Sequence, residues 1–218
     1  EELLKQIPHL DFVLGTEQAH LLPEVVEREI ERRRQICLTD ENPEVIHGLA
    51  KHLKGPKVSD FIAIMRGCDM FCSYCIVPHV RGREKSRPPE DVVAEAEKLV
   101  ETGVKEVFLL GQNVSAYGLK QTAKEVPKHS PFGDLLRRLN AIEGLKRIRF
   151  TSPHAKFFND ALIDAIAECD KVCNHVHLPL QSGADRILKA MNRPYTAAEY
   201  LAIVDKLKAR KPGITFSA

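Results

Sequence analysis

The sequence predicts an α/β protein whose main part is a partial (β/α) barrel with parallel strands, preceded by a smaller α/β segment. From residue 58 onward, short apolar runs alternate with amphipathic helical patterns at intervals of about 35–40 residues. Strands separated by helices pair in parallel through right-handed crossovers. Because the pattern repeats five times and a closed barrel needs eight units, we expect an incomplete barrel.

The predicted strands are short and apolar, and turn-forming residues bound them. They lie at 61–65, 106–110, 147–151, 175–180 and 214–217. Between them, apolar side chains recur with the spacing of one helical face at 92–100, 132–142, 162–167, 184–191 and 197–210. Such sheets place their chemistry at the carboxyl ends of the strands, so the loops that follow these strands are the candidate site.

The first 57 residues are less regular. A short strand is predicted at 11–14, and Pro23 opens a charged helix that runs to Arg34. Turn formers dominate the stretch that follows, so we interpret residues 1–34 as part of an N-terminal domain and 35–57 as a linker. Residues 58–218 then form the second, larger domain.

Composition excludes several classes of protein. Of the 218 residues, 44% are hydrophobic and 28% are charged, which is typical of a globular protein and not of a disordered or fibrous one. The formal net charge is only +2, so any contact with RNA has to come from a local basic patch. No uncharged apolar stretch approaches the length of a membrane span. The sequence shows no secretory signal at Glu1, so we expect a cytoplasmic protein. We also expect a monomer. The abrupt ends indicate part of a longer protein.

Three cysteines stand directly after the first barrel strand. Cys68, Cys72 and Cys75 have the spacing Cys-x3-Cys-x2-Cys, which lets one tight loop bind three irons of a [4Fe-4S] cluster and leave the fourth iron open. A structural zinc site usually has four protein ligands, and the sequence has no second Cys-x2-Cys pair. The spacing favours the cluster. A non-catalytic module that holds zinc or a ferredoxin-like cluster stays open as an alternative.

These residues and several longer runs resemble the radical S-adenosylmethionine (SAM) methylthiotransferases. Cys-x3-Cys-x-aromatic-Cys, with Tyr74 as the aromatic residue, is typical of radical SAM enzymes. The narrower resemblance lies in four runs: 66–78 (RGCDMFCSYCIVP), 81–88 (RGREKSRP), 110–118 (LGQNVSAYG) and 178–193 (LPLQSGADRILKAMNR). Within the family, the third and fourth runs are most similar to the branch that modifies N6-isopentenyladenosine in tRNA.

The resemblance implies a radical SAM type of barrel and a defined chemistry. In the family, the [4Fe-4S] cluster cleaves SAM to a 5′-deoxyadenosyl radical, which takes a hydrogen from C2 of the adenine beside the anticodon so that a methylthio group can be added. The cofactor carries this chemistry, and the protein supplies binding and orientation. The resemblance assigns the cluster to Cys68, Cys72 and Cys75. It assigns SAM to residues near the strand ends: Tyr74, Gly111, Gln112, Asn113, Gln181 and Ser182.

Cations near the cysteines are candidates for contacts with tRNA phosphate or with SAM. They are Arg81, Arg83, Lys85 and Arg87, which follow the cysteines directly. Two further candidates are Arg193, which follows Met191-Asn192, and His154, which follows the third strand. A target base has to leave its stack to meet a radical, so an unpaired anticodon-loop adenosine suits the reaction.

Other parts of the family pattern are missing. Full-length methylthiotransferases carry a second [4Fe-4S] cluster on an N-terminal domain, and its cysteine ligands are absent here, as are the sixth strand and the C-terminal RNA-binding barrel. We therefore expect this chain alone to be inactive in methylthiolation. The expected partners are tRNA and an electron donor such as flavodoxin or ferredoxin. A ribosomal protein or another modified adenosine stays open as the substrate.

Overall fold

The computed structural model describes residues 2–15, 18–32, 35–39, 57–119 and 127–218. The chain divides into two compact units, residues 1–46 and residues 47–218. Within the described residues, no helix is both long enough and apolar enough to span a bilayer.

The first unit contains helices α1 (Glu2–Gln6) and α2 (Leu22–Arg32) and a parallel pair of strands, β1 (Phe12–Leu14) and β2 (Ile36–Leu38). The strand and helix predicted here are present. The start of the predicted linker differs, because residues 36–38 form β2, in register with β1. This short apolar run precedes the turn formers, so it pairs as a strand. Residues 40–56, the rest of the predicted linker, lie outside the described residues.

The second unit is built on parallel strands, as the alternation predicted. Strands β3 (Ser59–Ala63), β6 (Glu106–Leu110) and β7 (Arg147–Phe150) pair in the order β3-β6-β7. Strand β8 (His175–His177) pairs in parallel with β9 (Thr215–Ser217), and a parallel bridge joins Ile148 to Val172. The fold is therefore the partial barrel with parallel strands that the sequence predicted.

The first barrel strand ends earlier than predicted. Met65 is not part of β3, because it belongs to a separate strand, β4 (Met65–Arg66), that pairs antiparallel with β5 (Lys85–Ser86). The basic stretch that follows the cysteines thus contains a strand. This antiparallel pair of strands brings residues 82–87 beside the start of the loop that carries the three cysteines, residues 67–76, which we call the cysteine loop.

The helices of the second unit follow the predicted faces, except for a short additional turn, α3 (Val77–Val80). The others are α4 (Pro89–Glu101), α5 (Pro131–Asn140), α6 (Asp160–Glu168), α7 (Asp185–Ala190) and α8 (Ala197–Arg210). Local chemistry sets where they begin. Ser130 and Asn159 cap α5 and α6, and Thr196 with Glu199 forms a capping box on α8.

The core lies between the sheet and the helices. Strand side chains such as Ile62, Leu109 and Ile148 are fully buried, as are Leu136 on α5 and Ile166 on α6. Burial of each such aliphatic side chain contributes roughly 1.5–3 kcal/mol to folding. This core fixes the strands, so the loops at their carboxyl ends are held at one edge of a rigid scaffold.

Candidate functional site

The three predicted ligand cysteines lie together on the loop that follows β4. Cys68, Cys72 and Cys75 are each partly exposed, and none of them is in a disulfide. The Cys75 backbone N–H donates to the Cys72 carbonyl at 2.9 Å, which closes the second half of the loop into a turn. Partly exposed free thiols on a tight loop are accessible to metal, unlike thiols packed in a core.

Burial disfavours the thiolate form of Cys68 and of Cys72. Burial raises the pKa of the Cys68 thiol to about 11, and the negative charges of Cys72 and Cys75 contribute to the rise. Burial also raises the pKa of Cys72, and the charge of Cys75 adds to that effect. A bound cationic metal centre would favour the thiolate form of these side chains.

The arrangement fits a cluster. Among the described residues, no three Cys, His, Asp or Glu side chains converge closely enough to hold a single metal ion. A [4Fe-4S] cluster makes a different demand, because each thiolate binds a separate iron at a separate corner of the cube. Three partly exposed free thiols on one loop offer one ligand for each of three corners.

Gly67 allows the chain to turn from β4 into the cysteine loop. Its φ is +73°, and a Cβ atom at this position would lie 2.1 Å from the Arg83 carbonyl oxygen and 2.7 Å from that of Gly82. The next residue, Cys68, donates its N–H to the same Gly82 carbonyl at 3.3 Å. Only glycine combines this dihedral with so close a backbone approach, so Gly67 sets the position of the first cysteine.

The loop after β6 packs against the start of the cysteine loop. Gln112 Oε1 accepts a hydrogen bond of 2.7 Å from the Gly67 N–H. A Cβ on Gly111 would lie 2.4 Å from the Met65 side chain, so this glycine lets the two loops approach. Two predicted SAM-binding residues thus also have a structural task, which the sequence did not reveal.

Asn113 and His154 are joined through Ser115. The Ser115 hydroxyl lies 3.1 Å from both Asn113 Oδ1 and the His154 carbonyl oxygen, and it accepts from the His154 N–H at 2.8 Å. Both side chains are buried. Among the described residues, neither Asn113 Nδ2 nor His154 Nε2 has a hydrogen-bond partner. Buried donors of this kind are usually satisfied in proteins, so they mark a place where a polar ligand would fit.

The imidazole of His154 is neutral and its tautomer is fixed. Nδ1 accepts from the Lys156 N–H at 3.2 Å, which places the ring proton on Nε2. Burial lowers the pKa of His154 to about 3, and the positive charges of Arg193 and Lys156 lower it further. At neutral pH this side chain is therefore a hydrogen-bond donor without charge, and it does not act as a cation toward phosphate.

This pKa predicts acid sensitivity. The unfolded chain binds the His154 proton below about pH 6.5 whereas the folded chain does not until about pH 3, so folding becomes less favourable as the pH falls through that window. Between pH 7 and pH 5 the loss is about 2 kcal/mol. Urea unfolding at both pH values should show this loss in the parent chain. It should be smaller in His154→Asn, which keeps an acceptor for Lys156. Equal losses in the two proteins would contradict this account.

The residues after β8 have a clear local role. The Ser182 hydroxyl accepts from the Ala184 N–H at 3.1 Å and so supports the turn before α7. Gln181 is exposed and has a φ of +68°. The four non-glycine residues with positive φ in the described chain all lie in loops around this edge: Phe71, Ser152, Gln181 and Asn192. Backbone conformations of this kind concentrate at functional sites.

The predicted basic residues do not form one free patch. Arg87 is mostly buried, with an ion pair of 2.6 Å to Glu95 and a hydrogen bond of 2.7 Å to the Ala63 carbonyl. These two contacts engage the guanidinium in joining α4 to the sheet. The structure therefore removes Arg87 from the predicted phosphate contacts.

Three other predicted cations surround the cysteine loop. Arg83 pairs with Asp69 at 2.7 Å and lies 5.5 Å from the Phe71 ring centroid. Lys85 is in β5, opposite Arg66, and Arg81 is exposed at the end of α3. These residues border the site, and Arg81 and Arg83 keep the more exposed side chains.

A segment after α7 holds the far side of the cysteine loop, and we call residues 191–193 the strap. The Met191 carbonyl accepts from the Ser73 N–H at 3.1 Å, and Asn192 Nδ2 donates to the Phe71 carbonyl at 2.9 Å. Arg193 donates to the Tyr74 hydroxyl at 2.6 Å. Nothing local in the sequence reveals the role of Asn192, because its contacts are with residues about 120 positions away.

Comparison with known proteins agrees with this geometry. A family model described as the radical SAM superfamily matches residues 62–217. A protein of Syntrophus aciditrophicus named tRNA-2-methylthio-N(6)-dimethylallyladenosine synthase is 46% identical over 220 residues, which cover all of this chain and 46% of that protein. A protein of the same name from Geobacter sulfurreducens is 49% identical and is covered to 48%. The chain thus spans about half the length of these curated relatives.

Solved structures give the same fold. The radical S-adenosylmethionine methyltransferase TsrM from Kitasatospora setae matches 74% of this chain and 30% of its own, with a TM-score of 0.56 and 19% identity. The cobalamin-dependent S-adenosylmethionine radical enzyme OxsB matches 72% of this chain and 22% of its own, with a TM-score of 0.53 and 15% identity. The family model covers most of the chain, including the cysteine loop, so the chain belongs to the radical SAM superfamily.

Proposed function

We propose that this chain is the catalytic core of a radical SAM tRNA methylthiotransferase that adds a methylthio group to C2 of N6-isopentenyladenosine beside the anticodon. The observation that carries the proposal is the set of three partly exposed free thiols on one loop, the start of which is positioned by Gly67. The substrate is inferred from relatives that are 44–49% identical along nearly the whole chain and share one name.

The thiolates of Cys68, Cys72 and Cys75 would bind a [4Fe-4S] cluster with one open iron. When bound, the cluster supplies the electron that cleaves SAM to a 5′-deoxyadenosyl radical. This chain's own residues fix the ligands and their surroundings. Gly67 and Gln112 position the start of the loop, and the strap positions its far side.

SAM would bind at the loops that follow β6 and β8, near Tyr74. The backbone of Gly111 permits a close approach, and Gln112, Gln181 and Ser182 offer polar groups at the same edge. The unpartnered Asn113 amide supports a ligand in this place, because a buried donor left unpaired costs about 1–3 kcal/mol. Its amide group and the nearby neutral His154 would donate hydrogen bonds.

The exposed cations Arg81 and Arg83 would contact tRNA phosphates near the site. With a net charge of only +2, the chain offers a local contact, which positions RNA without reading its sequence. The electron donor would be a small low-potential protein of the flavodoxin or ferredoxin class.

The test uses the complete protein, reconstituted anaerobically with iron and sulfide and supplied with SAM and a reductant. It is given tRNA that carries N6-isopentenyladenosine, matched tRNA with unmodified adenosine at that position, or purified ribosomal protein. We expect the mass gain of a methylthio group on the isopentenylated nucleoside alone. Modification of the ribosomal protein or of another adenosine would overturn the substrate, and tight zinc binding without SAM cleavage would overturn the enzyme class.

A further inference from the structure

We propose that Arg193 is a positioning residue that holds the cysteine loop through Tyr74 and places a fixed positive charge beside the cluster, so that the cluster is more easily reduced. The proposal rests on the proposed function in one respect, namely that the loop binds a [4Fe-4S] cluster. It adds that a residue outside the loop raises the reduction potential of that cluster.

The geometry of the contact is specific. An Arg193 terminal nitrogen donates to the Tyr74 hydroxyl at 2.6 Å, and the guanidinium carbon lies 5.8 Å from the centroid of the same ring. Tyr74 stands between Cys72 and Cys75 in the sequence. A guanidinium that both donates to a tyrosine and lies near its ring is held in place more firmly than an ordinary surface arginine.

The backbone next to Arg193 is fixed as well. Asn192 has a φ of +55° and donates through its side chain to the Phe71 carbonyl, while the Met191 carbonyl accepts from the Ser73 N–H at 3.1 Å. The Arg193 N–H donates to the Leu188 carbonyl of α7 at 2.8 Å. The strap therefore links α7 to the cysteine loop and carries the charge of Arg193 to it.

The charge of Arg193 lies beside the cysteine loop and is not cancelled locally. Through its hydrogen bond to Tyr74, the guanidinium is held at the residue that stands between Cys72 and Cys75 in the chain. Among the described residues, the guanidinium donates to the Tyr74 hydroxyl and forms no ion pair, whereas Arg83 is paired with Asp69. Arg193 Nε is buried and has no hydrogen-bond partner among the described residues, so it can still donate.

The effect on reduction follows from charge. Reduction takes [4Fe-4S]2+ to [4Fe-4S]+ by one electron from an external low-potential donor, and it adds negative charge to a centre that already carries three thiolates. A nearby cation stabilises the reduced form more than the oxidised form, because the attraction scales with the charge it faces. Removing the cation should therefore make the reduction potential more negative.

The test is a redox titration of the anaerobically reconstituted chain, followed by electron paramagnetic resonance of the reduced cluster, without SAM and then with SAM. Four variants are compared: Arg193→Gln removes the charge, Arg193→Lys keeps a charge, Asn192→Ala weakens the strap without changing charge, and Lys208→Gln removes an exposed charge on α8. We expect a more negative potential in Arg193→Gln without SAM, a smaller shift in Arg193→Lys, and the parent value in Lys208→Gln.

Each other outcome contradicts either this inference or the proposed function. If Arg193→Gln keeps the parent potential, or shifts it only when SAM is present, the cation does not act on the cluster and this inference is wrong. If Asn192→Ala shifts the potential as much as Arg193→Gln, the effect comes from loop position and not from charge. If the parent chain binds no iron–sulfur cluster, the proposed function itself fails.

Discussion

Replacing Cys72 with alanine should abolish cluster binding and the formation of 5′-deoxyadenosine. With only two thiolates left on the loop, one corner of the cube loses its protein ligand, and the remaining pair cannot retain four irons with the fourth corner open. We expect the iron content after anaerobic reconstitution to fall from about four per chain to near zero, with loss of the broad visible absorption of the cluster.

Cys173→Ala is the matched control for this change. Cys173 is also a partly exposed free thiol, but it lies before β8 and outside the cysteine loop. This variant should keep the parent iron content and SAM cleavage. SAM cleavage that survives in Cys72→Ala would mean that the ligands have been assigned to the wrong residues.

Gly67→Ala should damage the site without touching a ligand. The new methyl group would lie 2.1 Å from the Arg83 carbonyl oxygen, and the residue would keep a φ of +73°. Left-handed strain and overpacking together cost roughly 2–5 kcal/mol, so the loop should move to relieve the clash. We expect lower stability in urea unfolding and a several-fold loss of cluster occupancy.

Gly103→Ala separates the effect of left-handed backbone strain from the effect of overpacking. Gly103 also has a positive φ, +102°, but no atom lies within 4 Å of the place its Cβ would take. This variant should lose only roughly 1–2 kcal/mol and keep its cluster. Equal effects of the two substitutions on cluster occupancy would contradict the importance of the close approach between Gly67 and the backbone of residues 82–83.

Most of the scaffold could be predicted from the sequence because its signals are local. Strand β6 lies at 106–110 and helix α8 at 197–210, where the apolar runs and helical faces placed them. The cysteine loop was equally visible, since its three cysteines lie within eight residues. Periodicity and close spacing can both be detected in the sequence, because they depend only on neighbours along the chain.

What the sequence could not predict depends on distant contacts. Arg87 belonged to a basic run, yet it is bound to Glu95 and to a strand carbonyl. Gln112 was expected at SAM, and its side chain also holds the Gly67 N–H across 45 residues. No local pattern distinguishes a free polar side chain from one whose partner is supplied by another element, so these roles needed coordinates.

The most direct test of the central claim is anomalous scattering at the iron edge, measured on crystals of the anaerobically reconstituted chain. The account predicts a four-iron centre at the carboxyl ends of the parallel strands, with three irons bonded to the sulfurs of Cys68, Cys72 and Cys75 and the fourth free of protein ligands. Iron bound to other residues, or a single zinc ion in place of iron at this loop, would contradict it.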